Sequence, residues 1–428
     1  MKRVLIISPY FPPCNAADSQ RIRISLSFFK GFGWEAEVVC VDEKYCEITK
    51  DELLLQSIPA DTIIHRVKAF PKKWTSKIGL GSLALRAIVF LQKKVMLLLQ
   101  AKNYDLIYFS TTEFPVCILG AYWKKRFSIP YVIDMQDAWH SMYYQDKPKK
   151  ERPKKHWFSY RLHKYLEPLA MKNCDGLISV SPAYLDTLQQ RYPQLKNKPA
   201  AIIPFGAFEK DFEIARKNIE KCKPAISFQP EKINLVYVGR GGSDVQFSIE
   251  LLFSAIKEAL ESDNKLFSSF HFYFIGTSYA PKELAKPTIF PIAEKYGIEK
   301  QVTEITDRIG FYSTINTLLA ADVLFLPGSN DPEYSASKIY PYLLAKKPLL
   351  AITNPASPTV KILEEYGVKN VFTDEKTTAF QLAGFLKNLA SGNLKNPEYN
   401  QAAIKKYDAK SMTLNQCLLF DQVVDAKN

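Results

Sequence analysis

The chain has 428 residues, of which 47% are hydrophobic and 24% are charged. This composition is typical of a folded protein and excludes a disordered one, and at roughly 100–200 residues per domain the length predicts two domains. The 57 Lys and Arg residues exceed the 44 Asp and Glu residues, and the net charge of +13 indicates an anionic partner. The cysteines are scattered without a Cys-x-x-Cys pair, which favours a reducing compartment over a disulfide framework or a zinc site.

The chain begins with MKRVLIISPYF, whose apolar run is too short for a signal peptide and is typical of a first β-strand. The longest apolar region, residues 79–101, contains Arg86, Lys93 and Lys94. A membrane-spanning helix needs about 20 residues with few charges. We therefore predict that this region forms an amphipathic helix and not a transmembrane one.

Short apolar runs alternate with longer helical patterns along the whole chain, which is typical of parallel sheets covered by helices on both faces. The runs predicted to be strands in the first half are 3–8, 35–41, 105–110, 130–134, 176–181 and 200–205. Those in the second half are 233–239, 270–276, 301–306, 322–328, 348–353 and 370–373. The pattern predicts an α/β fold with two Rossmann-like, doubly wound parallel-sheet domains.

The predicted boundaries follow from where this pattern stops and restarts. We expect an N-terminal domain over 1–206, a linker over 207–230, a C-terminal domain over 231–400, and a terminal helix, 401–428, that packs back toward the N-terminal domain. Ligands of parallel sheets bind outside the carboxyl ends of the strands. Two such sheets facing a central cleft predict an enzyme with two substrates.

The sequence INLVYVGRGGSDVQFSIELL, which begins at residue 233, is typical of a strand, a glycine turn and a helix. Gly239, Gly241 and Gly242 allow backbone N–H groups to approach an anion, and Arg240 supplies a forked donor. The spacing is neither that of a dinucleotide-binding loop nor that of a P-loop. A tight turn without a ligand is therefore the alternative.

A second candidate anion site lies in NDPEYSASKIYPYLLAKKP, where two serines and a lysine precede a helix: Ser335, Ser337 and Lys338. Pro341 leaves two possible helix starts. If Ser337 caps the helix, Pro341 removes a backbone hydrogen bond, and if Tyr340 caps it, Pro341 takes the favoured first position. A surface helix with a chance lysine is the alternative to an anion site.

Residues 310–352, GFYSTINTLLAADVLFLPGSNDPEYSASKIYPYLLAKKPLLAI, resemble the donor-binding segment of GT-B glycosyltransferases, in particular the family 4-like retaining enzymes. The resemblance continues in SPYFPP, VIDMQDAWH, IIPFGAFEKDF and YVGR. It implies a glycosyltransferase that moves a sugar, with retention, from a nucleotide-sugar donor in the C-terminal domain to an acceptor in the N-terminal domain. The implied acceptor is lipid-linked or a glycan, and the implied process is cell-surface polysaccharide assembly.

The resemblance also implies roles for individual residues of the C-terminal domain. Glu333 corresponds to the first of two family glutamates and would contact the transferred sugar, whereas Pro341 stands where the second would bind ribose. Arg240 matches a diphosphate-binding arginine, but the family's lysine five positions later is Val245 here. We hypothesise that Lys338 supplies the positive charge that the family's lysine would provide. The other implied donor contacts are Gly239, Gly241, Gly242, Phe311, Ser335 and Ser337.

In the N-terminal domain the catalytic neighbourhood of the family corresponds to DMQDAWH. Asp137 and His140 are candidates to take or share the proton of the acceptor hydroxyl. Asp134, Asp18 and Arg21 are the acceptor-side candidates, with Arg21 as an anion contact. A capping role for Asp134, an exposed His140 and an ordinary loop around Arg21 are the alternatives.

Neither a metal nor another cofactor is expected, because the sequence contains no Asp-x-Asp and its histidines lack ligand spacing. Arg240, Lys338 and helix N-termini would then stabilise the charge of the leaving diphosphate.

Two basic segments with interleaved aromatic residues, 71–94 and 147–165, suit an anionic bilayer surface. They predict a cytoplasmic protein bound peripherally to the inner face of the membrane, although a solvated basic face would show the same pattern. Nucleic acid is not expected, because no module that binds it is present. A nucleotide-sugar epimerase of GT-B-like fold and a degenerate, non-catalytic scaffold are alternative functions, and Pro341 and Val245 favour the scaffold.

Overall fold

Two parallel β-sheets organise the chain. The computed structural model describes residues 1–140, 152, 156–278, 280, 284–329, 338–373, 375–392 and 397–426. The chain divides into two compact units: unit 1 comprises Met1–Gly206 and Tyr407–Asn428, and unit 2 comprises Ala207–Lys406. Each unit contains one of the sheets.

The sheet of unit 1 has the strand order β3-β2-β1-β4-β5-β6-β7. Its strands are β1 (Lys2–Ile7), β2 (Trp34–Val41), β3 (Ile63–Val67), β4 (Leu106–Ser110), β5 (Tyr131–Met135), β6 (Gly176–Ser179) and β7 (Ala200–Ile202). All pairings are parallel, with Ile6 opposite Val38 and Tyr108, for example. The central strands β4 and β5 are buried along their whole length, as expected where helices cover both faces.

The sheet of unit 2 has the order β10-β9-β8-β11-β12-β13 and is also parallel. Its strands are β8 (Ile233–Val238), β9 (Phe270–Ile275), β10 (Val302–Ile305), β11 (Val323–Pro327), β12 (Leu349–Ile352) and β13 (Val371–Phe372). The predicted α/β class with two doubly wound parallel sheets is therefore confirmed.

The helices connect the strands in chain order. They are α1 (Ser19–Ser25), α2 (Lys72–Thr75), α3 (Leu83–Ala101), α4 (Ile118–Phe127), α5 (His156–Met171), α6 (Pro182–Arg191), α7 (Glu209–Lys217), α8 (Gln246–Ser262), α9 (Asn264–Phe267), α10 (Phe290–Tyr296), α11 (Phe311–Ala320), α12 (Ile339–Leu344), α13 (Pro358–Tyr366), α14 (Glu375–Ala390), α15 (Gln401–Lys406) and α16 (Ala409–Asp425). Among the helices in the described part of the chain, none is long and apolar enough to cross a membrane.

The last helix, α16, packs in unit 1. The ring of Phe420 lies 5.4 Å from the ring of Trp34 and 4.9 Å from that of Tyr108, and Lys2 forms a 3.0 Å ion pair with Asp421. The preceding helix α15 belongs to unit 2. The terminal segment predicted over 401–428 is thus divided between the units.

Residues 207–230, which we predicted to be a linker, lie in unit 2. Their helix α7 packs against α11 because it presents an apolar face, and polar contacts complete the packing. Tyr312 donates to Asp211 at 3.2 Å, and the amide of Asn316 donates to the carbonyls of Ala215 and Cys222 at 3.2 and 2.8 Å. This segment is therefore part of a folded unit.

Candidate functional site

The glycine turn of unit 2 joins the carboxyl end of β8 to α8 through residues 239–245. A β-carbon on Gly239 would lie 2.1 Å from Nζ of Lys338, and one on Gly241 would lie 2.4 Å from Oγ1 of Thr288. Such distances are far shorter than any van der Waals contact. The turn therefore needs glycine at these two positions for its neighbours to approach.

Lys338 reaches this turn from the N-cap position of α12. Its Nζ donates to Oη of Tyr237 at 2.8 Å and lies 4.6 Å from the centre of the same ring. The pKa of Lys338 is lowered to about 7, mainly by burial and in part by the nearby Arg240 and Arg308, while Asp244 opposes the shift. The phenol oxygen is neutral and does not balance the ammonium charge, so an anion bound here would stabilise the charged form.

Arg240 lies beside Lys338 at the carboxyl end of β8. Its guanidinium pairs with Asp244 and is about half exposed, at 47% of the side chain. Its carbonyl accepts from Oη of Tyr237 at 2.8 Å. The structure therefore brings Gly239, Arg240 and Lys338 together, and their role as donor contacts stays a prediction.

Sequence reasoning missed three residues of this cluster, Tyr237, Asp244 and Arg308. Tyr237 lies inside a buried strand and is indistinguishable from core in the sequence pattern. Asp244 could have been found, since it follows Arg240 by four residues in the same turn. Arg308 lies beyond the end of β10, and only the strand order of the sheet brings it near Lys338.

Helix α12, which follows Lys338, starts at neither of the two positions that the sequence suggested. Lys338 is the N-cap residue and α12 begins at Ile339, so Pro341 is the third helical residue. An N–H at that position has no intrahelical partner, so proline is compatible with the first turn. The hydroxyl of Tyr342 accepts from the N–H of Val238 at 2.8 Å and fixes α12 to the end of β8.

The two departures from the family pattern have clear positions. Pro341 supplies no carboxylate in the first turn of α12, and Val245 is buried at the N-cap position of α8 without any charge. Glu333, Ser335 and Ser337 lie outside the described residues.

The two remaining donor candidates lie at the starts of helices or turns. Gly242 has φ of +140°, which L side chains rarely adopt. Phe311 is the first residue of α11, and its ring lies 5.1 Å from the ring of Tyr312. Their roles as donor contacts stay predictions.

Arg21 and Asp134, both predicted on the acceptor side, form a buried ion pair in unit 1. Nε of Arg21 lies 2.7 Å from Oδ2 of Asp134. The guanidinium also donates to the carbonyls of Ile203 at 2.7 Å and Pro204 at 3.2 Å. Arg21 is thus engaged by protein groups, and a direct contact with an acceptor anion stays a prediction that this geometry does not favour.

Three more donors surround the carboxylate of Asp134. They are the hydroxyls of Tyr108 and Ser110, each at 3.1 Å, and the amide of Gln136 at 2.8 Å. Asp134 has no exposed surface. Its observed role is therefore to hold β4, β5 and α1 together.

Asp18 is the third acceptor-side candidate and is also buried. It accepts from the hydroxyl of Thr111 at 2.9 Å and from the N–H of Thr112 at 3.0 Å. Burial raises the pKa of Asp18, and these hydrogen bonds oppose the rise. Its contacts fix the loop after β4, and a role toward the acceptor stays a prediction.

Asp137 and His140, the catalytic candidates, follow the carboxyl end of β5. Asp137 is exposed as a residue and accepts from the N–H of Ala138 at 2.8 Å, but neighbouring atoms desolvate its carboxyl and raise its pKa. His140 is partly buried, and burial together with Arg191 lowers its pKa. A carboxylate whose pKa is raised and an imidazole whose pKa is lowered are both groups that can exchange a proton with a hydroxyl.

The comparisons with known proteins agree with this architecture. Residues 33–207 match the family model of Glycosyltransferase Family 4. No curated protein sequence matches the chain significantly.

Solved structures that are similar over the whole chain share its fold. The sucrose-phosphate synthase of Thermosynechococcus elongatus is 14% identical with a TM-score of 0.62, and the alignment covers 100% of both chains. Anabaena HepE in complex with UDP-glucose is 15% identical with a TM-score of 0.54, covering 100% of this chain and 99% of that one. The lipopolysaccharide outer core galactosyltransferase WaaB is 11% identical with a TM-score of 0.54, covering 100% of both.

The family match lies in unit 1, and the structural matches extend the same architecture through unit 2. Together they show that the chain has the GT-B fold of these structures and that residues 33–207 are similar to Glycosyltransferase Family 4, in agreement with the resemblance seen in the sequence.

Proposed function

We propose that unit 2 binds a nucleotide-sugar donor and that the chain transfers its sugar, with retention, to a lipid-linked or glycan acceptor bound by unit 1. The observation that carries this proposal is the cation cluster at the end of β8. Lys338, Arg240 and a glycine turn lie together there, and the ammonium of Lys338 has no carboxylate partner among the described residues. A diphosphate would supply the missing negative charge.

Two similar proteins support the choice of donor and acceptor. HepE was solved with UDP-glucose, and WaaB is a galactosyltransferase of the lipopolysaccharide outer core. We infer the same classes for this chain, a nucleoside diphosphate sugar and an acceptor of cell-surface polysaccharide assembly. Glu333 would contact the transferred sugar, while Asp137 and His140 would contact the acceptor hydroxyl.

The donor half of the proposal is tested by a thermal-shift screen with UDP, GDP, dTDP, CMP and their common sugars. A ligand at 100 times its Kd should stabilise the chain by roughly 2.7 kcal/mol. We expect one nucleotide to shift wild type, and its sugar form to lose the additional shift in Glu333→Ala. If no nucleotide shifts the midpoint, the donor proposal is wrong and the non-catalytic scaffold takes its place.

Transfer itself needs no metal in this proposal, because Arg240 and Lys338 would stabilise the leaving diphosphate. We expect transfer to continue unchanged in excess EDTA. If chelation abolished activity and a divalent cation restored it, Arg240 and Lys338 would not be sufficient to stabilise the leaving diphosphate.

The acceptor half of the proposal rests on the outer surface of unit 1. Trp74 and Trp157 are 65% and 64% exposed, and each has a basic side chain over its ring, Lys73 at 5.5 Å and Arg161 at 5.6 Å. A β-carbon on Gly79 would lie 2.7 Å from the ring of Phe158, so the two segments lie side by side. Aromatic and basic side chains together suit the headgroup region of an anionic bilayer.

Helix α3 adds an apolar strip to this surface, with Val89 and Leu97 exposed on either side of Lys93. The described part of the predicted membrane surface comprises 71–94, 152 and 156–165, and the rest of 147–165 lies outside the described residues. We propose that this surface binds the cytoplasmic leaflet and presents unit 1 to a lipid-linked acceptor.

Vesicle flotation tests the membrane proposal. Wild type should float with vesicles containing phosphatidylglycerol but not with pure phosphatidylcholine, and 0.5 M salt should weaken the binding because it screens the lysines. Trp74→Ala with Trp157→Ala should abolish flotation, whereas Tyr296→Ala in unit 2 should not. Equal binding to both vesicle types would contradict the proposal.

A further inference from the structure

The segment that carries Asp137 and His140 belongs to neither the sheet nor a helix. It leaves β5 after Met135, and its backbone groups need partners from elsewhere. Trp139 provides one anchor, since its buried ring stacks on Phe114 at 5.3 Å. The second anchor is at His140 itself.

Both backbone polar groups of His140 are bound by side chains from two different helices. Its N–H donates to Oε2 of Glu167 on α5 at 3.0 Å, and its carbonyl accepts from Nη2 of Arg191 at the end of α6 at 3.2 Å. A residue held through both its N–H and its carbonyl cannot turn about its own backbone without breaking one of the bonds. The direction of its side chain is therefore set by this pair.

Glu167 and Arg191 also hold each other. Oε1 of Glu167 is paired with Nη1 of Arg191 and accepts from the hydroxyl of Tyr192 at 2.9 Å. The carboxylate is 1% exposed, and both of its oxygens have donors. A buried carboxylate with this many donors is rigid, because every movement exposes an unpaired charge.

The imidazole of His140 is less fully occupied than its backbone. Its ring lies 4.6 Å from the ring of Tyr160, while its buried Nε2 has no hydrogen-bond partner within the described part of the chain. The charged and titratable groups around it are Glu167, Lys164 and His163 of α5 and Arg191 of α6. Because burial and Arg191 lower its pKa, the neutral ring has a nitrogen free to accept a proton.

We propose that Glu167 and Arg191 are a positioning pair that fixes the backbone of His140 and so orients its imidazole for proton transfer with the acceptor hydroxyl. The pair acts through His140 and does not touch a substrate. This inference rests on the proposed transfer reaction for its chemical meaning, but the coupling of the pair to the His140 ring can be measured without any substrate.

The first test is a histidine titration by NMR with [13Cε1]-histidine, in a chain that contains five histidines. The signal missing in His140→Gln identifies this residue. Glu167→Gln leaves Arg191 unopposed, so the pKa of His140 should fall. Arg191→Met leaves Glu167 unopposed, so the pKa should rise.

These opposite shifts separate positioning from general loosening of the fold. If either variant merely exposed His140 to water, both would raise its pKa toward the ordinary value near 6.5. Asp175→Asn is the matched control, because Asp175 also joins a cation, Lys124 at 2.7 Å, to a backbone N–H, that of Tyr131 at 3.1 Å. It should leave the His140 titration unchanged. A rise in both variants, or no shift in either, would overturn the proposal.

Transfer kinetics give the second test once a donor is known. Glu167→Gln should lower kcat by about tenfold or more with the KM for the donor unchanged, because a misplaced proton acceptor slows only the chemical step. Arg191→Met should lower kcat in the same way, whereas Arg191→Lys, which keeps the charge, should lose less. If the pKa of His140 shifts as expected but the chain transfers no sugar, the proposed reaction is wrong and the positioning pair still stands. If Glu167→Gln leaves kcat unchanged, the positioning role is wrong and the proposed reaction still stands.

Discussion

Both units place a cation near the carboxyl ends of their strands, but they compensate its charge differently. In unit 1 the guanidinium of Arg21 meets a buried carboxylate at 2.7 Å and two backbone carbonyls. In unit 2 the ammonium of Lys338 meets the neutral hydroxyl of Tyr237, and its pKa falls to about 7. A fully compensated charge holds a fold together, whereas a charge left without a counterion is suited to binding one.

The largest expected effect concerns the compensated site. Asp134→Ala leaves the guanidinium of Arg21 buried without its carboxylate, and breaking such a pair costs about 3–5 kcal/mol. Urea unfolding followed by circular dichroism measures this loss of free energy. Replacing both residues, Arg21→Met with Asp134→Asn, should cost less, because no unpaired charge remains and the amide oxygen can still accept from Tyr108 and Ser110. A loss below about 1 kcal/mol in Asp134→Ala would show that this pair is not what holds α1 to β5.

At Lys338, where the charge has no counterion among the described residues, removing the charge should increase stability instead of lowering it. Lys338→Met removes a buried charge and should raise the free energy of unfolding at pH 7 by about 1–3 kcal/mol. It should also weaken nucleoside diphosphate binding by about tenfold or more, since a hydrogen bond to a charged group contributes about 1.5–3 kcal/mol. Calorimetric titration measures the affinity, and Lys361→Met, an exposed lysine of the same unit, is the control. Unchanged affinity would remove Lys338 from the donor site.

The pH dependence of binding sharpens the same comparison. Free Lys338, with its pKa of about 7, is mostly neutral at pH 8, whereas a bound diphosphate holds it charged. Binding above pH 7 therefore takes up a proton, and Kd should rise by up to about tenfold for each pH unit between 7.5 and 9. The phosphate is fully ionised over this range and does not contribute. A Kd that is constant with pH would mean that Lys338 is already charged in the free chain.

The same pKa shift predicts how stability changes with pH. The folded pKa is depressed below the unfolded value of 10.5, so the unfolded chain binds more protons between the two. The contribution of Lys338 to stability should therefore become more favourable as pH rises from about 7 toward 10.5. The difference in urea midpoint between wild type and Lys338→Met should shrink over that window. A difference that grows with pH would contradict the assignment.

The smallest change in stability is expected at Tyr237, whose neutral hydroxyl is the partner of Lys338. Tyr237→Phe removes the hydroxyl that accepts from Lys338 and donates to the carbonyl of Arg240. Measured at about pH 9, where Lys338 with its pKa of about 7 is neutral, the loss in stability should be about 0.5–1.5 kcal/mol, the usual net contribution of a neutral hydrogen bond. Tyr273→Phe, on the neighbouring strand, is the control. A loss as large as that of Asp134→Ala would mean that Tyr237, and not a ligand, is the main partner of Lys338.

Much of the fold could be predicted from the sequence, because strands buried on both faces appear as continuous apolar runs. The strand missed was β3, Ile63–Val67, which lies at the edge of its sheet and includes His65 and Arg66. Half of such a strand faces solvent, so it has no continuous apolar signal. The folded segment 207–230 was missed because its polar residues outnumber the apolar ones that pack on α11.

The site was predictable where its residues are close in sequence, as in the glycine turn with Arg240. Residues brought together by the fold were not predictable, including Tyr237, Arg308 and the pair Glu167 and Arg191. Charge alone also could not show that Arg21 is compensated by Asp134 while Lys338 is not. That distinction depends on burial and on the partner at a few ångströms, which no local pattern contains.

The most direct measurement of the central claim is calorimetric titration of UDP, GDP and dTDP at pH 8 in two buffers with different ionisation enthalpies. The difference in apparent enthalpy gives the number of protons taken up on binding. We predict that one nucleotide binds wild type with uptake of close to one proton, and that Lys338→Met binds it more weakly with none. Binding without proton uptake, or equal uptake in both proteins, would contradict the claim that Lys338 is the uncompensated charge of the donor site.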